Sequence, residues 1–76
     1  MLTAIYNYPE KGYCPAEELC VGKEYEVEHV SMGQSHTYVY LKGYEGGFNS
    51  VHFDFYEDGV PHNIYRDPRY NPYIGG

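Results

Sequence analysis

The sequence predicts a small all-β domain in which five short strands form a partly open barrel, with a long first loop and an extended C-terminal tail. The first observation is the alternation in V-G-K-E-Y-E-V-E-H-V, residues 21–30, which is typical of a half-buried antiparallel strand. The second is that short runs rich in β-branched and aromatic residues alternate with glycine and proline turns. The third is a length of 76 residues, which allows one domain with a single core.

The strand over residues 21–30 opens after a turn glycine, Gly22, and we expect it to be the second strand of the barrel. Successive side chains of a strand point to opposite faces. The inward face is predicted to hold Tyr25, Val27 and His29. The outward face is predicted to be a carboxylate row of Glu24, Glu26 and Glu28.

The first strand is predicted over residues 2–8, L-T-A-I-Y-N-Y, and Pro9 ends it. An aromatic residue precedes this proline, so the Tyr8–Pro9 bond is a candidate for a cis peptide. Residues 9–21 hold two prolines and a glycine and form the long first loop. Within it, residues 15–19 have the proline and acidic residues of a single helical turn.

Three further strands follow the loop around Gly33. Thr37–Leu41 is the third strand, and its pattern leaves open whether Tyr38 and Tyr40 face inward or outward. Residues 43–47, G-Y-E-G-G, are the next turn. Residues 48–56 are predicted to be two short strands broken at positions 49–51, and one unbroken strand is the alternative.

The chain divides into the barrel, residues 1–57, and the tail, residues 58–76. Asp58 and Gly59 form a turn at the start of the tail, and Pro68 and Pro72 exclude a helix further on. Tyrosines in the tail argue against a solvated chain. Three alternatives stay open for it: packing over the open edge of the barrel, docking on a partner or a second copy, and disorder.

Composition and charge restrict the partners. Eleven tyrosines and three phenylalanines indicate a core built from aromatic rings. The net charge of −6, with only five Lys and Arg, argues against direct nucleic-acid binding and against anionic membranes. An uncharged ligand, a basic protein partner and mimicry of nucleic acid remain compatible with it.

No cofactor, metal site or enzymatic activity is expected. Cys14 and Cys20 have no metal-binding partners at the usual spacing, and without a signal peptide we expect a reduced pair in a cytoplasmic protein. The four histidines are scattered along the chain. His52 and Asp54 are the one pair placed to share a proton, and no nucleophile or phosphate-loop motif accompanies them.

Three stretches resemble SH3 domains, and the L-x-V-G-K-x-Y-x-V segment of the second, residues 19–27, is even closer to short SH3-like proteins of bacteria and their phages. Residues 4–8, A-I-Y-N-Y, are similar to the A-L-Y-D-Y opening of SH3 domains. Residues 18–27, E-L-C-V-G-K-E-Y-E-V, resemble their entry into the second strand. Residues 47–53, G-F-N-S-V-H-F, are similar to the segment ahead of their last strand. The resemblance covers about residues 2–56 and implies an SH3-like barrel.

SH3 domains bind proline-rich peptides in a groove of aromatic residues. Only some of the residues of that groove have a match in this sequence. Tyr6 and Tyr8 match the opening tyrosines, and the acidic loop is matched by Glu17 and Glu18. The chain has no tryptophan. Asn49 stands in place of the groove proline, and His52 or Phe53 replaces the final tyrosine. Proline-rich peptide binding is therefore not implied.

Two functions remain. The first is a non-catalytic interaction module with an exposed tyrosine-rich face that binds an unidentified protein or a second copy of the chain. Its candidate residues are Tyr6, Tyr8, Tyr38, Tyr40, Tyr44 and His52. The alternative is an acidic decoy of the phage or mobile-element type that imitates nucleic acid. In it the carboxylates of Glu24, Glu26 and Glu28, roughly 6.6 to 7 Å apart along the strand, take the place of phosphates.

Overall fold

Six β-strands form one antiparallel sheet in the computed structural model, which describes residues 1–11 and 17–74. The strands are β1 (Leu2–Tyr6), β2 (Glu24–Met32), β3 (Thr37–Leu41), β4 (Phe48–Asn49), β5 (Phe53–Glu57) and β6 (Val60–Pro61). Two 3₁₀ turns, Ser50–His52 and Ile64–Arg66, follow β4 and β6. The strand order is β4-β3-β2-β1-β5-β6, so the predicted all-β class is confirmed.

The structure differs in two respects from the five-stranded, partly open barrel that the sequence predicts. A sixth strand, β6, pairs with β5 in the register Glu57 to Val60. In addition, the edge strands β4 and β6 do not pair with each other, so the sheet stays open. The sixth strand arises because Asp58 and Gly59 both have positive φ angles, 51° and 83°, which is the backbone of a two-residue hairpin turn.

Replacing Gly59 by alanine is expected to lower the free energy of unfolding by about 1 kcal/mol, because an L-residue with a side chain is strained at this φ angle. No atom lies within 4 Å of the position that a Cβ would take, so the cost comes from the backbone alone. Urea unfolding measures it. Asparagine tolerates positive φ, so Gly59→Asn is the matched control and should cost less than Gly59→Ala. Equal losses for the two variants would contradict the strained turn.

Strand β2 contains a β-bulge at Glu28, which reverses the predicted faces of its second half. Val27 pairs with Leu41 and His29 with Tyr40, so two steps along β2 correspond to one step along β3. The extra residue places His29 on the outer face, and the prediction that it shares the inner face with Tyr25 is wrong. The first half of β2 pairs with β1 and the second half with β3.

The core lies on the inner face of the sheet and is largely aromatic. On β3 the inner residues are Thr37, Val39 and Leu41, which settles the open question of that strand and places Tyr38 and Tyr40 outside. Phe53 contacts Phe48 and Phe55 at ring-centroid distances of 6.5 and 6.1 Å. Such ring pairs stabilise the core beyond the area that they bury.

The start of the first loop differs from the prediction. Strand β1 ends at Tyr6, two residues earlier than expected, and the Tyr8–Pro9 bond, the candidate for a cis peptide, is trans. Residues 17–18 form a turn. The rest of the predicted helical turn, at Pro15 and Ala16, lies outside the described residues, as does Cys14.

The segment after β5 packs on the sheet over its described part. Ile64 is fully buried and belongs to the core, and Asp67 is buried beside it. The residues that follow form turns, as Pro68 and Pro72 require. Residues 48–57 follow the predicted pattern of two short strands, because the Ser50–His52 turn separates β4 from β5. Among the described residues no helix has the length and apolar character to cross a membrane.

Candidate functional site

Two of the predicted binding residues, Tyr6 and His52, lie in the core, with exposed fractions of 2% and 1%. Their ring centroids are 5.8 Å apart in an edge-on arrangement. His52 Nδ1 lies 2.7 Å from the Tyr8 carbonyl oxygen, and because a carbonyl only accepts, the imidazole N–H donates. Both side chains therefore join the end of β1 to the turn before β5, and they do not belong to an exposed face.

Tyr44 covers the edge of the core. Its ring packs edge-on against Tyr25 and Phe48, at centroid distances of 5.6 and 6.2 Å. Burial raises the pKa of Tyr25, whose hydroxyl accepts a hydrogen bond of 2.7 Å from the backbone N–H of Cys20. Tyr44 is half-buried and has the role of a packing residue.

Tyr38 and Tyr40 lie side by side on the outer face of β3. Each stacks with a histidine: Tyr40 with His29 at 5.7 Å and Tyr38 with His36 at 6.3 Å. Gly47 lies against both tyrosines, and a Cβ at that position would approach the Tyr38 Cβ and the Tyr40 ring to 3.1 Å. This outer pair is the largest part of the predicted tyrosine face that reaches solvent.

Tyr8 is half-buried beside the first loop and is separate from the outer pair. Its hydroxyl donates to Asp54 Oδ2 over 3.0 Å, and this hydrogen bond to a carboxylate raises the pKa of Tyr8. The ammonium of Lys11 lies 4.1 Å from the centre of the Tyr8 ring, within cation–π distance. The six predicted residues thus fall into the core, the outer face of β3 and the first loop, and they do not form one continuous surface.

The predicted carboxylate row is interrupted. Glu24, Glu26 and Glu28 are all exposed, and the bulge at Glu28 shifts the pairing of β2 at the third of them. Glu24 accepts a hydrogen bond from Thr3 Oγ1, and Glu26 lies 3.8 Å from the Lys42 ammonium. The first two carboxylates therefore have local partners, and the third lies at the bulge, which breaks the predicted even spacing.

A groove of about 790 Å³ lies where three segments of the chain meet. These segments are the β2–β3 loop at residues 32–37, the turn at residues 49–51 and the C-terminal segment at residues 65–73. We call this concavity the C-terminal groove. Lys11 reaches it from the first loop. The main lining side chains are Met32, Thr37, Val51, Tyr65, Asn71 and Tyr73.

Hydrogen bonds hold the C-terminal wall of this groove. The Tyr65 and Ser50 hydroxyl oxygens are 2.6 Å apart and join the wall to the turn after β4. Asn71 Nδ2 donates to the Tyr65 carbonyl over 2.7 Å. Because Ile64, next to Tyr65, is anchored in the core, the position of this tyrosine is fixed from both sides.

An ionic cluster around Arg69 fastens the same segment to the end of β5; we call it the Arg69 clasp. The guanidinium contacts Asp67 through Nε at 3.0 to 3.1 Å and Glu57 through a terminal nitrogen at 2.7 Å. His62 Nε2 lies 2.7 Å from Asp67, and the N-terminal amine of Met1 lies 3.0 Å from Glu57. Hydrogen bonds from Arg69 hold the pKa of Asp67 well below its usual range, and the N-terminal amine and then Arg69 lower that of Glu57.

Replacing Asp67 by asparagine is expected to make the free energy of unfolding less dependent on pH in the acidic range. A carboxyl whose pKa is lower in the folded state contributes stability that is fully present above its unfolded pKa and is lost as pH falls towards the folded one. The loss in the native chain therefore begins below about pH 5. Urea unfolding between pH 7 and pH 2.5 should show a smaller decline for Asp67→Asn. Two parallel curves would contradict a contribution from this carboxylate.

The clasp also contains the one trio of potential metal ligands in the described residues, Glu57, His62 and Asp67, whose donor atoms lie within 4.8 Å of one another. The Arg69 guanidinium already contacts both carboxylates. A fixed positive charge therefore occupies the position that a cation would take.

Sequence reasoning missed Tyr65 and Tyr73 as site residues, although a local signal for them exists. Both follow an asparagine by two positions, in N-I-Y and N-P-Y. In each case the asparagine Oδ1 accepts from the tyrosine backbone N–H, at 3.0 Å for Tyr65 and 2.9 Å for Tyr73. This Asx-turn chemistry is typical of fixed loops. Val51 and Asn49 form the same contact on the opposite wall, at 3.3 Å.

One comparison with known proteins gives a match. The model of a protein family described as Bacteriophage T4 protein Y07B matches residues 1–75. No curated protein and no solved structure matches the chain.

Proposed function

The chain belongs to the family described as Bacteriophage T4 protein Y07B, and from that premise we propose that it is a non-catalytic protein-interaction module whose binding site is the C-terminal groove. One observation carries the proposal: exposed apolar and aromatic side chains of distant segments meet in this single concavity. Val51, Tyr65 and Tyr73 are 41%, 43% and 60% exposed and all line it.

The groove has properties that suit an extended peptide segment. Its volume falls within the range of ligand sites, and its tyrosines offer large contact areas with two side-chain torsions to fix. Ser35 and Asn49 supply polar groups along the lining for hydrogen bonds to a backbone. The walls are held by Asx turns and by the Tyr65–Ser50 contact, so little ordering remains to be done on binding.

We further propose that the domain is a variant of the SH3-like barrel. Support comes from the long first loop between β1 and β2, from β2 pairing in its two halves with β1 and β3, and from the 3₁₀ turn directly before β5. The C-terminal groove lies at that turn and at the β2–β3 loop. In this variant β6 and the segment after it are additions to the barrel.

The surroundings of His52 and Asp54 support a non-catalytic function. His52 faces the core and donates to a backbone carbonyl. Asp54 accepts from Asn7 Nδ2 at 2.7 Å and from the Tyr8 hydroxyl. His52 contacts the Tyr8 carbonyl and Asp54 contacts the Tyr8 hydroxyl, so each side chain is engaged with Tyr8 through a different atom.

Peptide selection tests the groove. A library of random twelve-residue peptides is selected on the full chain, and the affinity of the best binders is measured by fluorescence anisotropy. Replacing Val51 by lysine places a charge in the groove, so we expect at least about tenfold weaker binding. Val60→Lys is the matched control, since Val60 is 64% exposed and does not line the groove.

We expect the control variant to bind within about twofold of the native chain. Circular dichroism of both variants establishes that they fold. The absence of any binder that is weakened by Val51→Lys would overturn the proposed function.

The acidic decoy is the second candidate, supported by the net charge of −6 and by the outward Glu24 and Glu26. Its support is narrower because the bulge at Glu28 breaks the even spacing of the carboxylates. Salt separates the two candidates: a decoy bound to a nucleic-acid enzyme through several carboxylates should lose affinity steeply between 50 and 500 mM NaCl, whereas binding in the groove, which has a single cationic side chain among its described lining, should lose much less.

A further inference from the structure

The charges around the C-terminal groove differ from those of the rest of the protein. The chain carries eleven Asp and Glu against five Lys and Arg. Nevertheless, no carboxylate occurs among the described residues that line the groove, and Lys11 is the one full charge there. His36 is the other ionisable nitrogen of the lining.

Lys11 has the geometry of a cation that can take a partner. Among residues 1–11 and 17–74 it takes part in no salt bridge, as is also the case for Lys23 and Arg66, which do not line the groove, while Lys42 and Arg69 are both paired with carboxylates. Its ammonium lies over the Tyr8 ring, which is a favourable contact that leaves its N–H donors without an anionic acceptor. A carboxylate that enters the groove at this end would therefore meet an uncompensated positive charge.

The remainder of the lining is apolar or neutral. Met32, Val51 and Tyr73 offer apolar surface, and Gln34, Ser35 and Asn49 offer neutral polar groups. A basic segment would find no carboxylate there among the described residues, so its charges would be desolvated without compensation. A neutral segment with an apolar side chain has no such penalty, and a carboxylate avoids it where it lies next to Lys11.

The charge of the whole molecule limits how acidic the segment can be. With a net charge of −6, the protein repels a run of carboxylates at long range. A single carboxylate next to Lys11 gains a charge-assisted hydrogen bond while adding little to that repulsion.

We propose that the C-terminal groove binds an extended segment of a partner protein that carries one or two carboxylates at the Lys11 end and an apolar or aromatic side chain against Val51 and Tyr73. This inference rests on the proposed function, because it names the chemistry of the partner for the same groove. A basic proline-rich segment and a second copy of the chain are the competing occupants.

The test uses the peptides selected on the full chain. We expect them to be enriched in Asp or Glu at one position and depleted in Lys and Arg. For the best binder, changing that residue to its amide should weaken binding about tenfold, as should Lys11→Glu in the protein. Lys42→Glu is the matched control, since Lys42 pairs with Glu26 outside the groove, and it should leave the affinity within about twofold.

The outcomes separate this inference from the function on which it rests. Two results would support the groove as the binding site and would overturn the proposal of an acidic partner. In both, the selected peptides bind more weakly to Val51→Lys. In the first they are nevertheless rich in Lys or Arg, and in the second they bind Lys11→Glu as well as they bind the native chain. Enrichment of sequences copied from this chain would instead indicate self-association and would overturn it as well. If no selected peptide responds to Val51→Lys, the proposed function fails together with the inference.

Discussion

Replacing Ile64 with alanine is expected to lower the free energy of unfolding by about 3 kcal/mol. The side chain has no exposed surface and packs with the core of the sheet although it comes seven residues after the end of β5. The substitution removes buried methyl and methylene groups and leaves a cavity, because β6 and the Arg69 clasp hold the surrounding backbone in place.

Urea unfolding of the two proteins measures this loss. Val60→Ala, in the exposed β6, is the matched control and should change stability by less than about 0.5 kcal/mol. A loss of that small size for Ile64→Ala as well would mean that the C-terminal segment is not part of the folded domain. In that case the groove wall at Tyr65 would also have no anchor.

Replacing His52 with alanine is expected to cost a similar amount, about 3 kcal/mol. The imidazole is 1% exposed, contacts the Tyr6 ring and donates to the Tyr8 carbonyl. The variant loses these contacts and leaves the carbonyl without its side-chain donor. Nε2 is the one buried side-chain nitrogen or oxygen in the described residues that has no partner, so the stabilising contributions of this ring are its packing and the Nδ1 hydrogen bond.

Thermal and urea unfolding check this second loss. His36→Ala is the control, since His36 is exposed and stacks only on Tyr38, and it should cost less than about 0.5 kcal/mol. Equal stabilities of the His36→Ala and His52→Ala variants would contradict a structural role for His52.

Local sequence patterns correctly predicted the strands and turns that are determined by neighbouring residues. The bounds of Thr37–Leu41 follow from strict alternation between a polar loop and a glycine-rich turn. The break between β4 and β5 follows from the sequence around Asn49, whose side chain caps the 3₁₀ turn. The Asp58–Gly59 turn was also predicted, since both residues accept positive φ.

Features that depend on distant contacts were missed. The bulge at Glu28 is defined by pairing with β3, so the alternation of residues 21–30 gives no sign of it and places His29 on the wrong face. Tyr6 and His52 were predicted to be exposed. They are buried by the contact between β1 and the turn before β5, and the local sequence does not show that contact. The groove itself joins Ser50 to Tyr65, and only the fold brings these residues together.

Chemical-shift mapping tests the central claim, that the C-terminal segment forms a binding groove with the β2–β3 loop and the turn after β4. The uniformly ¹⁵N-labelled full chain is titrated with the best selected peptide. We predict that the backbone amides that shift will cluster at residues 32–37, 49–51 and 65–73. Shifts confined to the outer face at His29, Tyr38 and Tyr40, or to Glu24 and Glu26, would contradict the account and assign binding to the other side of the sheet.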